Sequence, residues 1–259
     1  MKFTILVPTM GVREKEIERF FISLSNQTYK DFDVVIVSQI NHNLVENIVS
    51  RIKDIKIKHI KLEKAGLSYA RNQGLKYCDG EWIILSDDDA WYPIDGLEKL
   101  SKICNQKYCI VLSQIFDPVS SKLYKNYSKK QKEINNKFEL MKKSSIEIAI
   151  NREKIKLCFD ERFGLGAKYV GGEENDFLMR AYKCGKICYF PTITVYHQKK
   201  DGTSSPKQQL AKGAIYAKHY NRGIAMLIVL RDIIKRRNAS PKMFWQGFNE
   251  YRKENISNE

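Results

Sequence analysis

The chain has 259 residues and a formal net charge of +15, from 45 Lys and Arg against 30 Asp and Glu. At roughly 150 residues per domain this is one large domain, or one with an appendage. A hydrophobic content of 43% with 14 Tyr and 12 Phe excludes a disordered chain, and ordinary Gly and Pro counts exclude collagen-like and low-complexity classes.

The opening MKFTILVPTM is too short for a signal peptide and lacks a small-residue cleavage site, so it reads as a strand over 3–7 closed by the turn at Pro8-Thr9. Ile17, Phe20, Phe21 and Leu24 recur at helical spacing within 13–25. DFDVVIVS at 31–38 predicts a second strand, and Leu44, Ile48 and Ile52 mark a helix over 43–53. IKIKHIKL at 55–62 alternates apolar and basic, the pattern of a half-exposed strand. A helix is expected over 66–78, a strongly apolar strand over 81–86, and another helix over 95–104. Strands alternating with helices predict a doubly wound α/β sheet with its ligand at the strands' carboxyl ends. Residues 119–157 are Lys-rich and expected to be partly helical. GGEENDFLMRAYKCG at 171–185 predicts a capped helix closed by Gly185, and ICYFPTITVYH at 187–197 one or two short strands. No internal repeat is visible, and no apolar run reaches the length of a spanning helix.

The charge is unevenly placed. Residues 1–118 hold 16 basic and 16 acidic residues, and residues 158–198 hold 5 of each. The excess lies in 119–157, with 11 basic against 4 acidic, and in 199–259, with 13 against 5. A solvated Lys-rich surface accounts for this. An anionic membrane or anionic substrate accounts for it equally. Nucleic acid is not expected, because no helix-turn-helix, zinc finger or RNP-like stretch is present. The six cysteines (Cys78, Cys104, Cys109, Cys158, Cys184, Cys188) lack paired spacing and read as reduced thiols of a cytoplasmic protein.

Asp87-Asp88-Asp89 directly follows the third strongly apolar strand. Three adjacent acids repel one another, so a cation or a strong hydrogen-bond set is expected beside them. In extended geometry residues 87 and 89 point the same way. They could then share a divalent metal or divide between a metal and a ribose hydroxyl. Mg²⁺ and Mn²⁺ are the hard cations that take carboxylate and phosphate oxygens together. The other reading is a solvated acidic turn.

LVPTM near the start, SLSNQTYKDFDVVIV, AGLSYARNQGLKYCDGEWIILSDDDA, and DERFGLGAKYVGGEENDF followed by P…VYH together resemble family 2 glycosyltransferases of the GT-A fold. The resemblance spans roughly residues 3–198, and AGLSYARNQGL…GEWIILSDDDA is its most specific part. It implies a Rossmann-like mixed sheet flanked by helices, and an inverting enzyme that moves a hexose from a nucleotide-diphosphate sugar to a hydroxyl with a divalent metal. By the same resemblance, residues 1–105 form the nucleotide half and 106–198 the acceptor half; the residues of 199–259 read by themselves as a basic helical extension. Pro8 and Thr9 would border base and ribose, and Arg71 the nucleotide or diphosphate. Asp87 would contact ribose or share the metal, Asp89 would ligate it with His197, and Asp88 would assist.

Many family members carry an acid just after the second strand, where this chain has Ser38 and Gln39; an amide can still hydrogen-bond a uracil edge. GGEENDF resembles the GGED-type motif of inverting galactosyltransferase-like enzymes. On that match Glu173 orients the acceptor and Glu174 is the base, with Asp176 the fallback. Helix N-terminal acids that complement the macrodipole are the other reading of these three.

Leu227, Ile228, Leu230, Ile233 and Ile234 form an apolar stripe running into Lys235-Arg236-Arg237. It would pack on the core or lie on an anionic membrane. The membrane reading fits extension of a lipid-linked oligosaccharide for a capsule or other cell-surface polysaccharide, at the inner face of a bacterial membrane. Two other classes compete: a nucleotidyltransferase, which would want a Gly-rich loop where LVPTMGVREKE has one Gly, and a non-catalytic nucleotide- or glycan-binding module, which has no need of both acidic clusters.

Overall fold

In the computed structural model, which describes residues 1–199, 205–234 and 240–256, nine strands make one mixed sheet. β1 (Phe3–Thr9), β2 (Phe32–Ser38), β3 (Lys56–Lys61) and β4 (Trp82–Leu85) run parallel in the order β3-β2-β1-β4. Every residue of β1, β2 and β4 is buried, which is why these strands are continuous apolar runs. α1 (Glu14–Ser25), α2 (His42–Arg51) and α4 (Gly96–Ile103) cover one face, where Ile5 and Val7 meet Phe20, Phe21, Val45 and Leu97. α3 (Leu67–Leu75) and α5 (Glu173–Ala181) cover the other, where Leu6 and Val35 meet Ala70 and Phe177. β3 is the edge, and its lysines 56, 58 and 61 are exposed, which discourages pairing with another chain.

The second half of the sheet departs from the expected pattern. β5 (Ile110–Asp117), β6 (Lys122–Leu123), β7 (Lys132–Glu133), β8 (Ile148–Asn151) and β9 (Ile187–Tyr196) extend it in the order β4-β8-β5-β9-β7, with β6 on β5. β8 is antiparallel to both neighbours, whereas β9 is parallel to β5. Residues 119–157 are not α-helical. They hold two 3₁₀ turns, Lys137–Lys142 and Ser145–Glu147, and the fully buried β8. β9 is one ten-residue strand whose register shifts against β5. α5 ends at Ala181, and its C-cap Tyr182 keeps right-handed geometry at φ −57, three residues before Gly185. Gly185 is not in the left-handed region and does not cap it.

Three helices follow: α6 (Pro206–His219), α7 (Arg222–Ile234) and α8 (Pro241–Ile256). α6 starts at a capping box in which Ser205 accepts from the Gln208 N–H and the Gln208 side chain accepts from the Ser205 N–H. α6 and α8 cross at two glycines. A Cβ on Gly213 would lie 1.9 Å from the Phe244 carbonyl, and one on Gly247 would lie 2.0 Å from that of Leu210. Phe163, Tyr169, Met179, Tyr216, Phe244 and Phe248 make the core between these helices and α5. Of the expected stripe Ile228 is buried, while Leu227, Leu230, Ile233 and Ile234 are exposed. Lys235, Arg236 and Arg237 lie outside the described residues.

Candidate active site

The carboxyl ends of β1 and β4, the N-terminus of α5 and one side of α6 surround a cavity of about 1130 Å³. Pro8, Thr9, Gln39, Arg71, Asp87, Asp88, Asp89 and His197 line it from the sheet side; Glu173 and Glu174 line it from α5. The two acidic clusters therefore face one space.

Each acid at the end of β4 is held differently. Asp88 accepts from the Thr9 hydroxyl at 2.7 Å, and that hydroxyl accepts from the Gly11 N–H at 2.9 Å. Arg13 lies 3.1 Å from Asp88 Oδ1 and 2.6 Å from Asp89 Oδ2. Arg19 donates to the Asp89 carbonyl at 2.9 Å and stacks on Trp91, 3.6 Å from its ring centroid. His197 Nε2 is 3.0 Å from Asp89 Oδ1. Burial raises the Asp87 and Asp88 carboxyls above their ordinary values, against the pull of Arg71 on Asp87 and of Thr9 and Arg13 on Asp88.

Arg71 joins the clusters. Its guanidinium is buried, donating from Nη1 to Glu173 Oε1 at 2.9 Å and from Nη2 to Asp87 Oδ1 at 3.2 Å. Lysine could not make this planar two-ended bridge. Ser145 Oγ, from the second 3₁₀ turn, also approaches Asp87 at 3.4 Å.

The start of α5 sets where the second cluster points. Gly172, its N-cap, takes φ +80, and a Cβ there would meet Ile215 of α6 at 2.2 Å. Only glycine fits both the left-handed conformation and the contact. Glu174 faces the cavity with no ion-pair partner among the described residues. Burial, and then the neighbouring Glu173 carboxylate, push its carboxyl up to about 8.

Asp176 is two residues further on, about 200° around the helix. It is not part of the cavity wall. Fully buried, it is paired with His219 at 2.8 Å, Lys218 at 2.6 Å and Arg180 at 2.9 Å. Gln39 spends its carbonyl oxygen on the Gly66 N–H at 2.6 Å, which leaves its amide group as a donor. Ser38 lies between His42 Nδ1 and His59 Nε2 at 2.6 and 2.7 Å.

Several residues of this site carried no readable sign. Arg13 looked like the start of a helix. Ser145 sat in a Lys-rich stretch, and Lys212, Arg231 and Asp232, which also line the cavity, lay in the helical tail. Only the residue types beside an acidic cluster could have pointed to Arg13.

Asp87, Asp89 and His197 offer carboxylate oxygens and an imidazole in one cavity, a donor chemistry that suits Mn²⁺ or Mg²⁺. Among the described residues, no three His, Cys, Asp or Glu converge at metal-holding distances. Arg13 holds the cationic place beside Asp88 and Asp89, and its side chain is 43% exposed, so it can turn away without unpacking the core. The donor set fits such an ion in kind, and Arg13 is a cation that must withdraw for it.

A mixed α/β sheet with carboxylates at a parallel strand's tip, facing acids at a helix start across a deep cavity, defines a GT-A-type protein. The chain belongs to the family described as Glycosyl transferase family 2, which it matches over residues 4–163. Glycosyltransferase GlyA of Streptococcus pneumoniae is 33% identical over 103 residues, 39% of this chain and 15% of that protein. The GalNAc(5)-diNAcBac-PP-undecaprenol beta-1,3-glucosyltransferase of Campylobacter jejuni is 27% identical over 154 residues, 56% of this chain. That match spans 50% of the Campylobacter protein, so the chain matches half or less of both relatives. The crystal structure of S. aureus TarS 1-349 in complex with UDP-GlcNAc superposes with a TM-score of 0.68 at 19% identity, covering 99% of this chain and 73% of that one.

Proposed function

We propose that the chain transfers a hexose from a UDP-sugar to a hydroxyl of a lipid-linked glycan, with inversion at the anomeric carbon. One observation carries the reading: a single buried guanidinium ties the acid at the β4 tip to the acid at the start of α5 across one cavity. Donor-side and acceptor-side chemistry are thereby fixed relative to each other. The family match, and the lipid-linked glycan in the name of the Campylobacter relative, support it.

Residues 1–105 form the donor half and 106–198 the acceptor half, with the 119–157 segment contributing to it and 199–259 a helical extension. Pro8, Thr9 and Gln39 border the base and ribose. Asp87, Asp89 and His197 would hold Mn²⁺ or Mg²⁺, with Asp88 assisting. Such an ion supplies positive charge against the donor's diphosphate as it leaves. Glu174 takes the proton of the acceptor hydroxyl while that oxygen bonds to the anomeric carbon and the carbon–phosphate oxygen bond breaks. Attack opposite the leaving group turns an α-linked donor into a β-linked product. Glu173, held by Arg71, orients the acceptor. The working place is the cytoplasmic face of the cell membrane, with the protein peripheral to it.

A panel of nucleotide sugars, with and without Mn²⁺, tests the reading by thermal shift and donor hydrolysis. A UDP-sugar is expected to raise the melting temperature and to be cleaved only with the metal. No shift and no cleavage with any donor would overturn it. Arg13→Ala is expected to tighten Mn²⁺ binding about tenfold in calorimetry without donor, because a competing cation is gone. Unchanged or weaker binding would remove these acids from the metal role.

A further inference from the structure

Helix α7 carries two unlike features side by side. Ala225, Ile228, Val229 and Asp232 are buried against the molecule. Met226, Leu227, Leu230, Ile233 and Ile234 stand outward, 48 to 78% exposed. Five large apolar side chains on one short helix make a continuous patch, which marks a binding surface. Arg231 sits on the seam. It follows Leu227 by one turn, and it lines the cavity with Asp232.

Lys212 of α6 lines the same wall. Arg231 Nη2 is 2.8 Å from Asp232 Oδ1, and Lys212 pairs with Asp232 Oδ2. Among the described residues, two cations thus share one carboxylate, so this part of the wall is electropositive. The rest of the cavity holds five acids, Asp87, Asp88, Asp89, Glu173 and Glu174, against Arg13, Arg71 and Lys142. An anion entering from this side is drawn to Lys212 and Arg231.

The geometry points to this seam as the seat of an amphiphilic acceptor. Its phosphate or diphosphate lies at Lys212 and Arg231, its apolar chain runs outward along Leu227, Leu230 and Ile234, and its sugar reaches in toward Glu174. This rests on the proposed reading of a lipid-linked acceptor and adds where the lipid and its phosphate bind. A bilayer surface alone has no use for a cation that lines the cavity, as Arg231 does. A second copy of the chain would need about 800 Å² per partner, more than one helix face of five side chains offers.

The test uses the full chain in metal-free buffer, titrated by calorimetry with farnesyl diphosphate and with inorganic diphosphate. Farnesyl diphosphate is expected to bind at least about tenfold tighter, since the apolar stripe adds burial. The exposed double variant Leu227→Gln/Leu230→Gln should lose that advantage, keep its affinity for inorganic diphosphate and melt as the parent does. Arg231→Gln should weaken both ligands. Equal affinities in the parent, or unchanged farnesyl diphosphate binding in the double variant, would overturn the proposal. So would binding only to anionic vesicles, or a dimer that the double variant abolishes. Donor hydrolysis with Mn²⁺ is measured alongside. Its absence would sink the transferase reading while these binding data still decide where the amphiphile sits.

Discussion

Glu174→Gln is expected to lower kcat for sugar transfer by about 10²- to 10⁴-fold, the range a positioned general base contributes. Nucleotide binding should stay close to that of the parent, because the amide keeps the shape of the side chain and loses only the ability to take a proton. Full activity in this variant would remove Glu174 from the mechanism. The pH profile gives a second handle. The Glu174 carboxyl is pushed up to about 8 by burial and by Glu173. Below that value the group is mostly protonated and cannot act as a base, so the rate should climb as pH rises through it and level off above.

Glu173→Gln removes the like charge, so the acid limb should move to lower pH. A limb that stays put would assign it to another group. Stability carries the opposite sign. Between the ordinary value of 4.5 and about 8, the folded protein holds a proton the unfolded chain has released. This group's contribution to stability therefore falls as pH rises through that window.

Arg71→Ala should cost both stability and activity. The guanidinium is fully buried and serves two carboxylates at once. Removing it leaves Glu173, itself only 5% exposed, as an uncompensated buried charge beside Glu174. Breaking a buried pair in this way typically costs about 3–5 kcal/mol, seen as a lower denaturant midpoint and a lower Tm. Arg71→Lys separates two roles. An ammonium restores the charge and part of the stability, but it cannot reach both carboxylates in one plane. Transfer should remain low in Arg71→Lys even where melting recovers. A parent-like Tm in Arg71→Ala would show that the bridge carries no structural weight.

What could be read from the residues, and what could not, follows from how each element is buried. β1, β2 and β4 are covered on both faces, so Phe3–Val7, Val34–Val37 and Trp82–Leu85 announce themselves as apolar runs. β8 is equally central, yet it has four residues inside a strongly basic segment, too few for any period to show. β5 went unread, because its apolar core Ile110–Leu112 is only three residues long before Ser113 and Gln114, and its place beside β8 and β9 is set by pairing between distant segments.

At the site, the acids stood out because carboxylates after an apolar strand are conspicuous. Of the cations around them, Arg71 lay inside a recognisable motif, whereas Arg13, Lys212 and Arg231 are ordinary residues of helix starts and basic tails until folding places them. Glu174 and Asp176 illustrate the same limit. Both sit in the first turn of one helix, and only the surroundings decide that the first meets the cavity and the second meets α6.

The glycine crossing of α6 and α8 has a consequence for the chemistry. α6 carries Lys218 and His219, which grip Asp176 on the helix whose first turn bears Glu173 and Glu174. α8 rests backbone to backbone on α6. A methyl group at residue 247, far along the chain from Glu173 and Glu174, would wedge those two rods apart and shift the helix start that carries both acids. On the proposed reading α8 is thus a buttress of the reaction centre, and trimming it is expected to lower turnover, measured as kcat, before it lowers the melting temperature of the sheet.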